Sequence, residues 1–378
     1  MPPAAPAGRS LPARGVAAAL ARAADADGFV PFDRFQEAAL YAEPDGFYAR
    51  ARSPLGAGGD FYTAAHVHPI FGSTLARRLG EVLAAVDGER PVRVVEVGPG
   101  DGTLAAQLLA ALRAAVPAPR PVEFAVVDRA SARCAAVRER LAPLAARAGV
   151  GLRALSSVGA DGPFAGAVVA NELLDAQPTR RLRWDGSAWS ELGARRVGDR
   201  WQEAVRAGAP PVPGPPLPSG VEPGTVVEVS PTAEAIVREV GDHLTDGAAI
   251  FLDYGGEERE LLAGHPHGTL AGVRAHTDVP DPYADPGTVD LSTFVNFDRI
   301  RAAARGAGLI ELAYRRQAEA LGAWGFEAER EAALRAATGP EAEVRVRLAA
   351  KSLLFGFDRF RALEVAAPAT AARLARPT

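Results

Sequence analysis

The sequence predicts an α/β fold of Rossmann-like type. It has a mostly parallel central sheet, an N-terminal helical segment and an inserted or appended subdomain. Three observations predict it. Val92–Val97 reads VRVVEV, the apolar β-branched run that a strand buried on both faces requires. From Pro91 onward strand and helix patterns alternate, which implies parallel strands joined by right-handed crossovers. A glycine-rich turn, Gly98-Pro99-Gly100-Asp101-Gly102, joins the first of these strands to the first of these helices.

The elements follow in order. Residues 1–12 are rich in Pro and Ala and read as disordered. Helical patterns cover Val16–Ala24 and Pro31–Tyr41. The stretch Glu43–Asp60 carries six Pro or Gly residues (Pro44, Gly46, Pro54, Gly56, Gly58, Gly59) and reads as a functional loop. Pro69 suits the first position of a helix reaching about Val86. Residues 1–90 thus form a helical cap with a loop. Residues 91–178 form the core unit, with strands at Val92–Val97, Val122–Val127, Gly151–Leu155 and Ala165–Ala170, and helices at Thr103–Ala115 and Ser131–Arg147. In 179–224, Trp184, Trp189, Trp201 and the Asp185-Gly186 turn predict an antiparallel hairpin insertion, followed by a Pro/Gly-rich linker over Ala207–Gly224. Residues 225–378 complete the core sheet: strands at Thr225–Val229 and Ala248–Asp253, a helix at Pro231–Leu244, and an irregular Gly268–Asn296 with a second hairpin. A late strand at Leu309–Ala313 and further helices fill the rest.

Composition narrows the function. The formal net charge of -4 argues against a general nucleic-acid binder, which needs a basic excess to neutralise phosphates. All 42 basic residues except Lys351 are Arg, a bias from which no function is read. Cys134 is the only cysteine, so no internal disulfide framework exists, which fits a reducing cytoplasm. No apolar run approaches the ~18 residues of a membrane span. The expectation is a cytoplasmic protein without nucleic-acid or membrane partners, with a homodimer open.

The chemistry is carried by Glu96-Val97-Gly98-Pro99-Gly100-Asp101-Gly102-Thr103. Glycines permit a tight turn and close backbone approach, and the following helix presents free N–H groups to an anionic group. A dinucleotide fingerprint needs Gly where Thr103 stands. The acid Glu96, just before the first glycine, suits an ammonium and repels a pyrophosphate. The pattern resembles motif I of class I methyltransferases and predicts S-adenosyl-L-methionine (SAM), with S-adenosyl-L-homocysteine (SAH) as product. Glu96, Gly98, Pro99, Gly100, Gly102 and Thr103 form the predicted cradle. Asp128, ending Val126-Val127-Asp128, can take both ribose hydroxyls on one carboxylate. Asn171-Glu172-Leu173-Leu174-Asp175 leaves the fourth strand at the ligand crevice. Glu172 and Asp175, three apart, read as lying on one side of a helical turn, and Asn171 as a cap and cofactor contact.

Beyond motif I, the sequence resembles the MidA-like methyltransferases, a family that includes the mitochondrial arginine methyltransferase of complex I assembly. The stretches that carry the resemblance are Gly59-Asp60-Phe61-Tyr62-Thr63, VEVGPGDGTL at Val95–Leu104, ANELLDAQP at Ala170–Pro178 and EVSP at Glu228–Pro231. LDYG at Leu252–Gly255, Gly268–Leu270 with His276, and DPGTVDLSTFVNF at Asp285–Phe297 extend it. The resemblance spans about Phe35 to Phe360. The sequence departs from the family at Ala64–Pro69, where the family has a Pro-Glu-containing turn, at Asp128, where it favours Glu, and at Thr179, where it often has Val. The resemblance implies methyl transfer to a protein arginine, with a small-molecule acceptor or a SAM-binding assembly factor as alternatives, and it brings Phe61 and Thr63 to the cofactor. An arginine acceptor needs carboxylates to orient its guanidinium. Glu172 and Asp175 lead as catalytic candidates, with Asp60 and Asp253 in reserve. The pairs His66/His68 and His265/His267 supply no closed ligand set, so no metal is expected, and His66 or His68 remains open as a general base.

Overall fold

The computed structural model describes residues 15–49, 63–115 and 120–375. The predicted disorder over residues 1–12, Asp60, Phe61 and most of the Pro/Gly-rich loop lie outside them.

The central sheet takes its strands β1 Val92–Val97, β2 Val122–Val127, β3 Gly151–Leu155, β4 Phe164–Asn171, β5 Leu244–Gly256, β6 Ile310–Arg316 and β7 Phe360–Ala366 in the order β6-β7-β5-β4-β1-β2-β3. An eighth strand, Val295–Asn296, pairs with the end of β5. Strands β5, β4, β1, β2 and β3 are parallel, and β7 is antiparallel to both β5 and β6. The chain winds outward from β1 to β3, then returns to β4 on the other side of β1. The crevice beyond the carboxyl ends of β1 and β4 is therefore the switch point, where open α/β sheets bind ligands.

The two-residue period of the strands sorts the core into two faces. Val92, Val94, Phe124, Val126, Ala167, Val169, Ile250 and Leu252 pack with the helices Ile70–Ala85, Thr103–Ala115 and Ser131–Ala148. Val95, Val97, Ala125, Val127, Val168, Ala170, Ala249 and Phe251 pack with Pro231–His243 and Phe297–Gly306. Because both faces are covered, these strands read as near-continuous apolar runs in the sequence.

The chain also forms a smaller antiparallel sheet. It takes Phe29–Pro31, Trp189–Val197, Arg180–Trp184 and Val226–Val229 in that order, with Arg200–Arg206 on Trp189–Val197. Trp184 stands opposite Trp189 across the hairpin, with ring centroids 5.3 Å apart, so these rings pack the turn. Val226–Val229 belongs to this sheet and not to the core sheet, because Arg180–Arg183 of the insertion captures its edge. Gly268–Asn296 holds a sheet of three short strands, Ala271–Arg274, Thr277–Asp278 and Asp290–Ser292, besides Val295–Asn296, and is more ordered than one hairpin. Strand β7, in a region read as helical, hides Glu364. That buried carboxylate accepts from Arg78 Nε and Trp324 Nε1, both at 2.8 Å, which satisfies a charge inside an apolar layer.

Candidate active site

A cleft of about 270 Å³ opens at the switch point, walled by the glycine turn, the ends of β2, β3 and β4, and residues Thr63–His66. Gly98 and Gly102 have φ of 72° and 78°, a left-handed region that disfavours any side chain. A Cβ on Gly98 would stand 2.6 Å from Leu173 Cδ1, and one on Gly102 2.8 Å from Val137 Cγ1. The turn is therefore bare backbone, closed on itself by a bond from Gly102 N–H to Pro99 O (2.6 Å).

Glu96 ends β1 beneath the turn. It is 3% exposed, and burial, with the Asp101 charge adding, pushes its carboxyl up to about 8. Its Oε2 and the Oδ1 of Asn171 are buried without a hydrogen-bond partner among the described residues. Two unpaired acceptors beside a glycine turn fit a cationic N–H donor such as the ammonium of an amino-acid moiety. Asp128 ends β2 and lines the cleft. Arg133 grips it through Nε (2.8 Å) and Nη2 (3.0 Å), and the Ala130 N–H adds a third bond (2.8 Å). Oδ1 takes two of these bonds and Oδ2 one, so Oδ2 keeps a lone pair for a hydroxyl.

Glu172 lies at the mouth of β4 with φ 51°, a strained geometry for a non-glycine residue. Its Oε1 accepts from Ala64 N–H (2.9 Å) and Asn171 Nδ2 (3.2 Å). Burial, with Asp175 adding, pushes this carboxyl up to about 8. Asp253 holds the turn in place: its Oδ2 accepts from the N–H groups of Leu173 (3.0 Å), Leu174 (2.8 Å) and Asp175 (3.3 Å).

The structure separates two residues that the sequence placed side by side. The chain after Glu172 is a turn, not a helix, so the three-residue spacing does not align the carboxyls. Glu172 lines the cleft, whereas Asp175 does not. Asp175 is buried behind it, its carboxyl raised to about 6 by burial and hydrogen-bonded by Tyr254. Asp253 is also fully buried and serves as a backbone anchor rather than a cleft wall. Glu96, Gly98, Pro99, Gly100, Thr103, Asp128, Asn171 and Thr63 all line the cleft, and Gly102 shapes it from behind.

Sequence reasoning missed several wall residues. Asp101, inside the glycine turn, accepts from Thr103 N–H (3.0 Å) and Thr103 Oγ1 (2.9 Å), and His66 Nε2 stands 3.3 Å from its Oδ2. Burial alone would raise this carboxyl, but the His66 and Thr103 bonds hold it down to about 2. Tyr41 and Tyr48 stack 5.6 Å apart on another wall, with the Arg129 guanidinium 4.2 Å over the Tyr41 ring. Nothing in the local pattern marks these tyrosines, because the chain brings them to the cleft from the N-terminal cap. His68 faces away, into a groove against the helices Phe326–Ala336 and Pro340–Phe355, and His265 packs on Phe294. Among the described residues no group of three or more His, Cys, Asp or Glu could hold a metal, and no helix is long and apolar enough to cross a membrane.

A bare glycine turn after β1, an unpaired acid before it and a carboxylate ending β2 define a class I SAM-dependent methyltransferase site on this sheet. Comparison with known proteins narrows the class. Residues 74–314 match the family described as "Putative S-adenosyl-L-methionine-dependent methyltransferase". A crystal structure of a COG1565 superfamily member from Burkholderia thailandensis, bound to S-adenosyl-homocysteine, superposes with a TM-score of 0.80 at 31% identity, covering 95% of this chain and 94% of that one. The curated Protein arginine methyltransferase NDUFAF7 homolog, mitochondrial, of Drosophila melanogaster is 26% identical over 317 residues, 74% of this chain and 68% of that protein. Its Homo sapiens counterpart is 26% identical over 284 residues, 69% of this chain and 62% of that protein, so the match spans less than two thirds of the human relative. The chain belongs to the MidA-like family of SAM-dependent methyltransferases. It is a methyltransferase whose cofactor is SAM.

Proposed function

We propose that the chain methylates an arginine side chain of a protein, with Glu172 as the carboxylate that orients the guanidinium. The observation that carries this reading is the cleft-facing Glu172 carboxyl, held at a strained φ of 51° and pushed by burial to about 8. A carboxylate costly to ionise in the empty fold is stabilised when a cation arrives, which suits a guanidinium better than a neutral acceptor. The names of the curated relatives support the acceptor class. The bound cofactor supplies an electrophilic methyl group. Glu96 and Asn171 would hold its ammonium, the Gly98–Gly102 backbone its carboxylate and Asp128 its ribose; the unpaired acceptors and the shared cleft support this. Glu172 then fixes the guanidinium so that one nitrogen lone pair faces the methyl group, and the cap residues around Tyr41 and Tyr48 keep water out. The buried, unpaired Cys134 supports a reducing compartment, and we place the protein in the cytoplasm, which fractionation checks.

The test is labelled-methyl transfer by wild type and Glu172→Ala, alongside SAH titration calorimetry. The reading expects transfer to a protein fraction, resolved from metabolites by size, with the label on arginine. Glu172→Ala should abolish transfer and leave SAH affinity within about threefold of wild type. Turnover that survives Glu172→Ala removes Glu172 from this role.

A further inference from the structure

The proton that the acceptor nitrogen must lose needs a destination, and Glu172 is a poor one while it pairs with the guanidinium. Beside it stands a hydrogen-bonded chain whose polarity can be assigned. The Thr63 N–H points at His66 Nδ1 (3.3 Å). A backbone amide only donates, so Nδ1 is the unprotonated, accepting nitrogen. His66 Nε2 lies 3.3 Å from Asp101 Oδ2, an ionised acceptor, so Nε2 carries the hydrogen. The Thr63 hydroxyl, 2.8 Å from Nδ1, must then donate to it. Its hydrogen thus committed, Thr63 Oγ1 lines the cleft as a lone-pair acceptor, one residue from the Ala64 N–H that holds Glu172.

We infer that Thr63, His66 and Asp101 form the proton exit of the transfer reaction, with Thr63 Oγ1 touching the acceptor nitrogen and His66 acting through it. This rests on the arginine reading. As the methyl–nitrogen bond forms, the nitrogen gives its hydrogen to Thr63 Oγ1, and Thr63 passes its own to His66 Nδ1. Thr63 ends neutral and His66 ends as an imidazolium paired with Asp101. The acceptor stays a cation as its methylguanidinium, the positive charge lost by the sulfonium ends on the dyad, and no other reactant is required. Among the described residues, the ionisable groups nearest the relay include Asp101, with Arg140 at 4.0 Å from it, and His68, which caps the short helix Ala64–Val67; Glu96, Asp128, Arg129, Arg133, Glu172 and Glu239 line the same cleft.

The experiment measures single-turnover transfer of labelled methyl from SAM to a pool of arginine-containing peptides, with SAH calorimetry and ring-nitrogen NMR of His66 in the SAH complex. The relay expects His66→Gln and Thr63→Val each to slow transfer about 100-fold, the scale of general-base loss. The double variant should be no slower than either single one, Thr63→Ser should restore the rate, and SAH affinity should hold throughout. Raising the pH should recover part of the rate in His66→Gln, since hydroxide can replace the lost base. Variants that transfer at the wild-type rate overturn the relay, and variants that lose SAH binding overturn it and make His66 a cofactor contact, in both cases with the arginine reading intact. If wild type labels no arginine, that reading falls instead. The NMR tests the polarity of the chain independently of the acceptor: a protonated Nδ1 overturns the relay.

Discussion

Replacing Gly98 with valine tests the cofactor cradle at its tightest point. The φ of 72° costs a side-chain-bearing residue about 1–2 kcal/mol in folding free energy. The new Cβ would also meet Leu173 Cδ1 at 2.6 Å, before the valine methyls are counted. Leu173 cannot retreat with its backbone, because its N–H is bonded to Asp253 Oδ2 at 3.0 Å. Its side chain lines the cleft and swings into it, taking room from a space of about 270 Å³. The folding penalty should therefore lower the thermal midpoint by only a few degrees. The binding penalty should be larger, a loss of about 100-fold in SAH affinity, or about 2.8 kcal/mol at 1.4 per decade. Calorimetric titration of wild type and variant, with circular dichroism to confirm the fold, reads both. A folded Gly98→Val that binds SAH within about threefold of wild type would refute the cradle. A folded wild type that binds no SAH would refute the cofactor site altogether.

Three further predictions follow from the same cleft. Asp128→Asn should weaken SAH binding by at least about tenfold, since it replaces a charged acceptor of the ribose hydroxyls by a neutral one, and calorimetry reads the change. Asp253→Asn should weaken three backbone bonds at 2.8–3.3 Å and release the Glu172 turn. Methyl transfer should then fall at least about tenfold, with thermal stability reduced by about 2 kcal/mol, and unchanged transfer would show that the turn holds without it. The third concerns pH. Glu96 has a folded value of about 8, above its unfolded 4.5, so its protonated form is the one the fold favours. That contribution is complete below about pH 4.5 and is lost as pH rises through 8. The stability of the ligand-free protein should therefore fall over this window, and Glu96→Gln should flatten the slope in pH-resolved thermal melts. An unchanged slope would place Glu96 in contact with water.

What the sequence made legible was what local pattern encodes. Strand β1 and its glycine turn could be read because an apolar β-branched run is followed by residues that only a left-handed backbone explains. Asp128, Asn171 and Glu172 could be read because strand ends in a parallel sheet face the crevice. The misreading of Asp175 has the same root: a three-residue spacing was given helical geometry, and Asp253, distant in sequence, imposes a turn instead. Strand β7 escaped because a strand carrying Glu364 lacks the apolar signature, and the residues that satisfy that charge, Arg78 and Trp324, lie 286 and 40 positions away. The His66–Asp101 contact spans 35 residues and has no periodic signal. In each case the missing information is a long-range polar pair, for which a single sequence offers no pattern.

The electrostatics of the cleft tie these observations together. Two carboxyls at the cleft, Glu96 and Glu172, are raised to about 8, while Asp101 between the turn and the cap is held near 2 by the bonds it accepts. A fold that only needed to be stable would bury amides at the first two positions, since an unpaired buried carboxyl costs free energy at neutral pH. On the proposed function, the same carboxyls become favourable when two cations enter, the ammonium at Glu96 and a guanidinium at Glu172. The anionic Asp101 has another task, to stabilise positive charge on His66. Binding and proton removal are thus assigned to different acids by burial and hydrogen bonding alone. Exchanging the two environments exposes this division. Weakening the bonds to Asp101 with Thr103→Val should raise its pKa and depress transfer more than it weakens SAH binding, whereas Glu96→Gln should weaken SAH binding first. If both variants lost binding and rate in the same proportion, the acids would share one role and the division would be wrong.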